Sequence, residues 1–204
     1  MDLSRACVLL DAGHGNNTPG KCSPDKRLLE YLWCREEVVR ISEGLRSLGI
    51  DTRIIVPENN DVPLKTRVAR VNKIYADLGK NKKDRYVFLI SVHINAAGNS
   101  GWHDATGFTE WIAPNASTAS KKLAQDLYAQ AEILDLKGNR YVPKEKYWTA
   151  NYYIVKNTNC PAVLTENLFQ DNKKDVDYLL SEEGKQVLAK LHIDGIVKFI
   201  SELQ

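Results

Sequence analysis

The segment Tyr86 to His93, YVFLISVH, most constrains how this chain can fold. Its apolar residues run on without the every-other-residue alternation of a strand with one wet face, so both of its faces must be covered. Such a strand belongs in the middle of a parallel sheet, and parallel neighbours need long crossovers, usually helices. The rest of the chain supplies both kinds of element. Ala6 to Asp11, Asp51 to Val56, Gly107 to Ile112, Asn151 to Val155 and Ala162 to Glu166 read as further strands. Glu30 to Leu48, Pro63 to Leu78, Ser117 to Leu134 and Glu182 to Leu203 read as helices. Gly49 ends the first as a C-cap, and Pro63 can open the second. This alternation predicts an α/β fold: a single domain with a twisted, mostly parallel sheet flanked by helices on both faces. No internal repeat, low-complexity tract or linker divides residues 1–204. Asn16 to Arg27 and Lys137 to Trp148 are too polar for core and read as rim loops.

Charge excludes more than it suggests. A formal net charge of +2 is too weak to argue for nucleic acid or an anionic membrane as the main partner, so neither is expected. No apolar run reaches the length of a transmembrane helix, so no membrane insertion is expected. The start, Met1 to Arg5, lacks the basic and apolar stretches of a secretion signal. The four cysteines form no C-x-x-C pair, which argues against a cysteine metal site, and reduced thiols are expected. Cys7 and Cys34 read as core, Cys22 and Cys160 as loop.

Four polar residues are hard to explain as structure. His14 follows the first strand within Asp11-Ala12-Gly13-His14-Gly15, where two glycines ease a sharp turn. His93 and Glu166 sit at the carboxyl ends of their strands, the edge at which open parallel sheets bind ligands. Glu30 lies four residues before Cys34, on the apolar stripe Cys34, Val38, Ile41, Leu45, Leu48. That places a carboxylate on the buried face of the first helical turn, where a charge needs a partner. Singly, each has an ordinary reading: a hydrogen-bonded histidine, a first-turn acid favoured by the helix dipole, a surface ion pair. Together, two histidines and a carboxylate make a common catalytic zinc set that leaves a position open for water. His103 reads as an exposed loop residue, His192 as structural, and Glu36 and Glu37 as a solvated face. Arg140 and Lys146, among Tyr141, Tyr147 and Trp148, are candidates for binding carboxylates and sugars. Asn95 is a candidate for contact with substrate or with a ligand from behind, and Asp11 for the latter.

LLDAGHG, the Glu30 helix, SVHINA and PAVLTENLF, in that order, resemble the zinc-dependent N-acetylmuramoyl-L-alanine amidases of the type-3 amidase family. The resemblance runs from Val8 to about Ile200 and includes Leu64-x-x-Arg67 with Asn72. It implies one zinc ion on His14, Glu30 and His93, with Glu166 as the catalytic acid/base. It further implies hydrolysis of the bond joining muramic acid to L-alanine of the peptidoglycan stem peptide. The chain departs from the family at Ala12, Tyr31 and Asn167-Leu168, where proline, lysine and Gly-Phe are usual. None of these removes a reactive group.

Two rival readings share parts of the pattern. One is a zinc peptidase or deacetylase with the same donor set. The other is a non-catalytic wall-binding module, which would be expected to lack Glu166 or a ligand, whereas all four residues are present. The resemblance implies action on the cell wall, as a phage-type lysin or a trimmed secreted enzyme. Some family members carry an inserted helix that plugs the cleft after the strand matching Gly107 to Ile112. Here only Ala113 to Ala116 separate that strand from the next helical pattern, and four residues reach about 14 Å at most. An open cleft with no obligate protein activator is therefore expected.

Overall fold

The continuous apolar run becomes a ten-residue central strand in a computed structural model that describes residues 2–78 and 85–203. A 3-10 turn at Leu3–Arg5 leads into β1 (Ala6–Ala12). There follow α1 (Glu30–Ser47), β2 (Asp51–Ile54), α2 (Leu64–Leu78), β3 (Tyr86–Asn95), β4 (Thr109–Ile112) and α3 (Thr118–Ile133). β5 (Trp148–Thr149), α4 (Tyr153–Asn157), β6 (Ala162–Phe169), α5 (Lys173–Leu180) and α6 (Glu182–Glu202) complete the chain. The sheet order is β2-β1-β3-β6-β4-β5. β2, β1, β3 and β6 run parallel, and β4 pairs antiparallel with β6, so the sheet is mostly parallel as expected.

The pleat sorts side chains into two cores. Val8, Leu10, Phe88, Ile90 and Val163 face α1, α3, α5 and α6. Cys7, Leu9, Leu89, Ala162 and Leu164 face α2 and α4. Helices thus cover both faces of a single α/β domain. All four cysteines are free thiols, and Cys160, read as a loop residue, is buried in the second core.

Three elements differ from the sequence reading, the first being β5, a short strand that begins where the Lys137 to Trp148 loop was expected to end. Asn151 to Val155 forms no strand; the short helix α4 stands there, with Ile154 and Val155 packed into the second core. A five-residue apolar run satisfies either geometry, and the position of α2 decides between them. α5 escaped the sequence reading because its signal is a cap, Asn172, whose side chain accepts from the amides of Lys174 and Asp175.

Candidate active site

β3 and β6 run in register, with His93 opposite Glu166, so the two side chains emerge side by side on the α2 face of the sheet. Both strands extend further than expected, to Asn95 and Phe169, with a register shift just after His93. Glu166 therefore lies within its strand, not at its end. β4 brings Thr109 opposite Glu166 on the other side. His14 comes from the loop after β1 and Glu30 from the first residue of α1, both at the carboxyl edge of the sheet.

Donor atoms of His14, Glu30 and His93 all lie within 4.8 Å of one another, and the structure brings the three predicted ligands together. Glu30 Oε1 is 3.4 Å from His14 Nε2 and 3.4 Å from His93 Nδ1, and it accepts the Ile94 amide at 3.0 Å. The two imidazole rings stand nearly perpendicular, 5.0 Å apart. Glu30 is fully buried, and its Oε2 has no hydrogen-bond partner among the described residues. A buried oxygen without a partner costs free energy unless something fills the gap. Two imidazole nitrogens and a carboxylate oxygen within 4.8 Å of one another, with a second carboxylate oxygen left unpartnered, fit a divalent cation.

The electrostatics follow from this packing. Burial alone would raise the Glu30 carboxyl, but hydrogen bonds from His14 and His93 outweigh it and hold the group well below the usual carboxylate range. Burial lowers His14. Burial also acts to lower His93, yet its hydrogen bond to Glu30 and the nearby Glu166 charge leave it raised. Glu166 is pushed up to about 7, first by burial, against the His93 charge and with help from Glu30. Its Oε2 is likewise buried and without a partner among the described residues. A carboxyl poised near neutrality beside a cation pocket is suited to moving protons. Tyr152, half-exposed and edge-on to Trp111 at 5.5 Å, sits close enough for Glu166 to act on its hydroxyl after burial has raised it.

The scaffold behind these three residues is ionic. His14 has a φ of 56°, a left-handed conformation costly for a side chain of its kind. Its carbonyl accepts from Arg35 of α1 and from Arg67 of α2, each at 3.0 Å. Arg67 is almost wholly buried and also donates to Asp11, Ala12, Asp61 and Val62. Asp11 therefore acts on His14 through Arg67, and it also accepts from Ser91 Oγ at 2.6 Å. The neighbouring glycines serve close approach and not, as the sequence suggested, the sharp turn. A Cβ on Gly13 would lie 2.5 Å from His93 Nδ1, and one on Gly15 would lie 1.9 Å from the Asp61 amide nitrogen.

The outer candidates fare differently. Asn95 donates to Thr109 Oγ1 at 3.3 Å, which ties β3 to β4. Arg140 lies over the Phe169 ring at the end of β6, 5.7 Å from its centroid. Lys146 is engaged with Glu132 at 2.6 Å and lies over the Tyr128 ring, which makes it a strut for α3. His103 bonds its own loop at Ser100, and buried His192 bonds Thr165 and the Leu188 carbonyl. Asn167 was missed by sequence reasoning in any structural role: its amide donates to the His93 carbonyl at 2.9 Å. Asn72, noted only through the resemblance, bonds both Asn157 and Asn159 and fastens α2 to the segment after α4. Arg35 carried no sequence signal beyond being a charge near the buried stripe. Glu37, read as solvated, is fully buried.

Residues 8–198 match the family model described as N-acetylmuramoyl-L-alanine amidase. Among curated relatives, N-acetylmuramoyl-L-alanine amidase CwlM of Bacillus licheniformis is 26% identical over 94% of this chain and 67% of its own length. The endolysin of Bacillus phage SPP1 is 25% identical over 95% of this chain and 66% of its own. The chain thus spans about two thirds of the length of these relatives. Among solved structures, an N-acetylmuramoyl-L-alanine amidase from Clostridium difficile 630 superposes with a TM-score of 0.81 at 22% identity, covering 98% of this chain and all of its own. The amidase Ami1 from Mycobacterium smegmatis gives 0.80 at 17% identity, over 98% and 99% of the two chains. At these identities the structures speak to fold.

Proposed function

Because this chain belongs to the N-acetylmuramoyl-L-alanine amidase family, we propose that it hydrolyses the amide between muramic acid and L-alanine in peptidoglycan, with His14, Glu30 and His93 holding one zinc ion and Glu166 moving the proton. The observation that supports this reading is the gathering of donor atoms from His14, Glu30 and His93 within 4.8 Å of one another, with Glu166 in register beside His93. Zinc, when bound, supplies Lewis acidity at the amide carbonyl and brings the pKa of water toward ~7.

The chain's own residues do the rest. Glu30 and the two imidazoles hold their donors in place through the Ile94 amide and the arginine-held carbonyl of His14. The Glu166 carboxylate accepts a proton from the attacking water, so that the oxygen adds to the carbonyl carbon. As the carbon–nitrogen bond breaks, Glu166 returns that proton to the alanine nitrogen. The products are a free muramic acid carboxyl and a free peptide amine. A pKa near 7 suits both halves of this exchange.

The described helices include none long and apolar enough to cross a membrane, and the proposed site of action is the cell wall. The whole chain is proposed to form one catalytic domain that acts without an activator protein, in keeping with the short connection between β4 and α3. The test is incubation of the purified protein with isolated peptidoglycan, with and without a chelator, followed by mass analysis of the new ends. Free L-alanine amines appearing only in the metal-replete reaction are expected. Cleavage between stem-peptide residues, or none without a second protein, would count against it.

A further inference from the structure

Beside Glu166 the sheet face continues into an aromatic cluster that the proton chemistry does not use. β4 pairs Thr109 with Glu166 and Trp111 with Leu164, so Trp111 shares the face of Glu166 and stands one pleat further along. Diagonal neighbours of this kind lie about 7–8 Å apart across an antiparallel pair. Tyr152, at the N-cap of α4, meets the Trp111 ring at 5.5 Å and 67°. From the sheet edge, Trp148 of β5 pairs with Trp111 in register, its ring 6.1 Å away, and backs onto buried Tyr128 at 6.0 Å. Three elements, β4, β5 and the start of α4, thus hold the rings in place.

Two features set this cluster apart from ordinary core. Tyr152 is 40% exposed, its hydroxyl makes no hydrogen bond among the described residues, and its near-perpendicular contact leaves the ring unsandwiched by Trp111. Trp111 Nε1 is buried with no partner among the described residues, a donor that purely structural packing is expected to satisfy. Rings kept partly in water beside a reacting centre suit a ligand with an apolar face. The substrate of the amidase reading has two unlike halves. Its stem peptide carries free carboxylates, whereas muramic acid is uncharged once its own carboxyl is consumed in the amide. The ring surface of Trp111 and Tyr152 has no charge to pair with a carboxylate. It matches the sugar, whose pyranose ring turns a face of C–H bonds toward the electron-rich face of an aromatic ring.

We propose that Tyr152, backed by Trp111, is a specificity-determining residue on which the pyranose ring of muramic acid stacks, so that the glycan side of the scissile bond lies toward β4. This rests on the amidase reading above and adds to it a requirement for the sugar ring. The test compares two substrates with the same amide and the same peptide, a muramyl peptide and a lactoyl peptide that lacks the sugar. Wild-type protein is expected to favour the muramyl peptide in kcat/KM by about tenfold, the scale of one aromatic contact. Tyr152→Ala should erase that preference, with the loss falling on KM, and Tyr152→Phe should keep it. A thermal melt checks that the variant folds, and Tyr152→Leu, which keeps an apolar side chain against Trp111, replaces it if it does not. Equal rates on the two substrates by wild type, or an equal loss on both in Tyr152→Ala, would overturn the proposal. If wild type cleaves neither substrate, the amidase reading fails, and calorimetric titration with the neutral disaccharide of N-acetylglucosamine decides the platform separately. Binding weakened about tenfold in Tyr152→Ala would then support it. No binding, or equal binding by both proteins, would overturn it.

Discussion

Glu30 and Glu37 lie two turns apart on α1; both are fully buried, yet their environments have opposite effects. Glu30 faces two imidazoles and a backbone amide, and its carboxyl is held far below the ordinary range despite its burial. Glu37 is buried further along the same helix, and neither of its oxygens has a hydrogen-bond partner among the described residues. Burial pushes it up to about 8, with only the more distant charges of Arg40 and Lys185 opposing. One helix thus carries a carboxylate kept charged by its partners and a carboxylic acid kept neutral for want of them. Burial by itself does not make an acid functional; the convergence of donors around it does.

The sharpest way to break this contrast is at Glu166, the proposed proton carrier beside Glu30. Glu166→Gln should retain bound metal yet lose roughly 10²–10⁴-fold in kcat, because an amide cannot accept the proton of water. Glu30→Gln should instead lose metal, measured by metal analysis after dialysis, whereas Glu37→Gln should keep both metal and turnover. If Glu166→Gln lost its metal while Glu30→Gln stayed active, the roles would be reversed.

Next in size is a stability effect at Glu37. Its folded pKa of about 8 lies above the ordinary 4.5, so the native state holds the proton more tightly. The resulting stabilisation is complete below pH 4.5 and is lost as pH rises through 8. Glu37→Gln removes this titration while keeping the shape. Denaturant unfolding of the two proteins should agree at low pH and diverge across that window, with the variant ahead by a few kcal/mol at the alkaline end. For Glu30 the sign reverses: its contribution is present above the ordinary pKa and lost as pH falls.

A smaller effect comes from moving the partners of Glu30 and leaving Glu30 intact. Gly13→Ala would press a methyl group on the His93 ring and should weaken metal binding about 10–100-fold, measured by competition with a chelator. The smallest is expected for Asn167→Ala, which deletes one hydrogen bond to the His93 carbonyl and should cost about 1 kcal/mol of unfolding free energy. A large loss of metal in that variant would show that Asn167 sets the position of His93.

The same helix shows what the sequence could and could not convey. Glu30 was legible because it falls on the stripe of Cys34, Val38, Ile41 and Leu45. Glu37 falls on that stripe too, three residues after Cys34, but beside Glu36 it read as a wet face. Helical position was the better guide than residue type. His14, His93 and Glu166 could be named from their places after apolar strands, while their common face required the register of β3 and β6. The antiparallel direction of β4 has no signature in TEWI, because direction is set by the connection and not by the strand. The arginine scaffold was the least legible part, since Arg35 and Arg67 act on carbonyl groups that every residue owns.

That scaffold has a consequence for how the molecule fails. Arg35 rises from the helical layer on one face of the sheet and Arg67 from the layer on the other, and both grip the carbonyl of His14. Local opening that undocks α2 removes one hand of that grip and leaves a left-handed histidine to relax. With His14 in its proposed role as a ligand, hydrolysis is tied to the closure of both layers, because opening that releases His14 removes a donor. Hydrogen exchange at the amides flanking His14 should follow the opening of α2 and not the fraying of the loop in which the histidine sits.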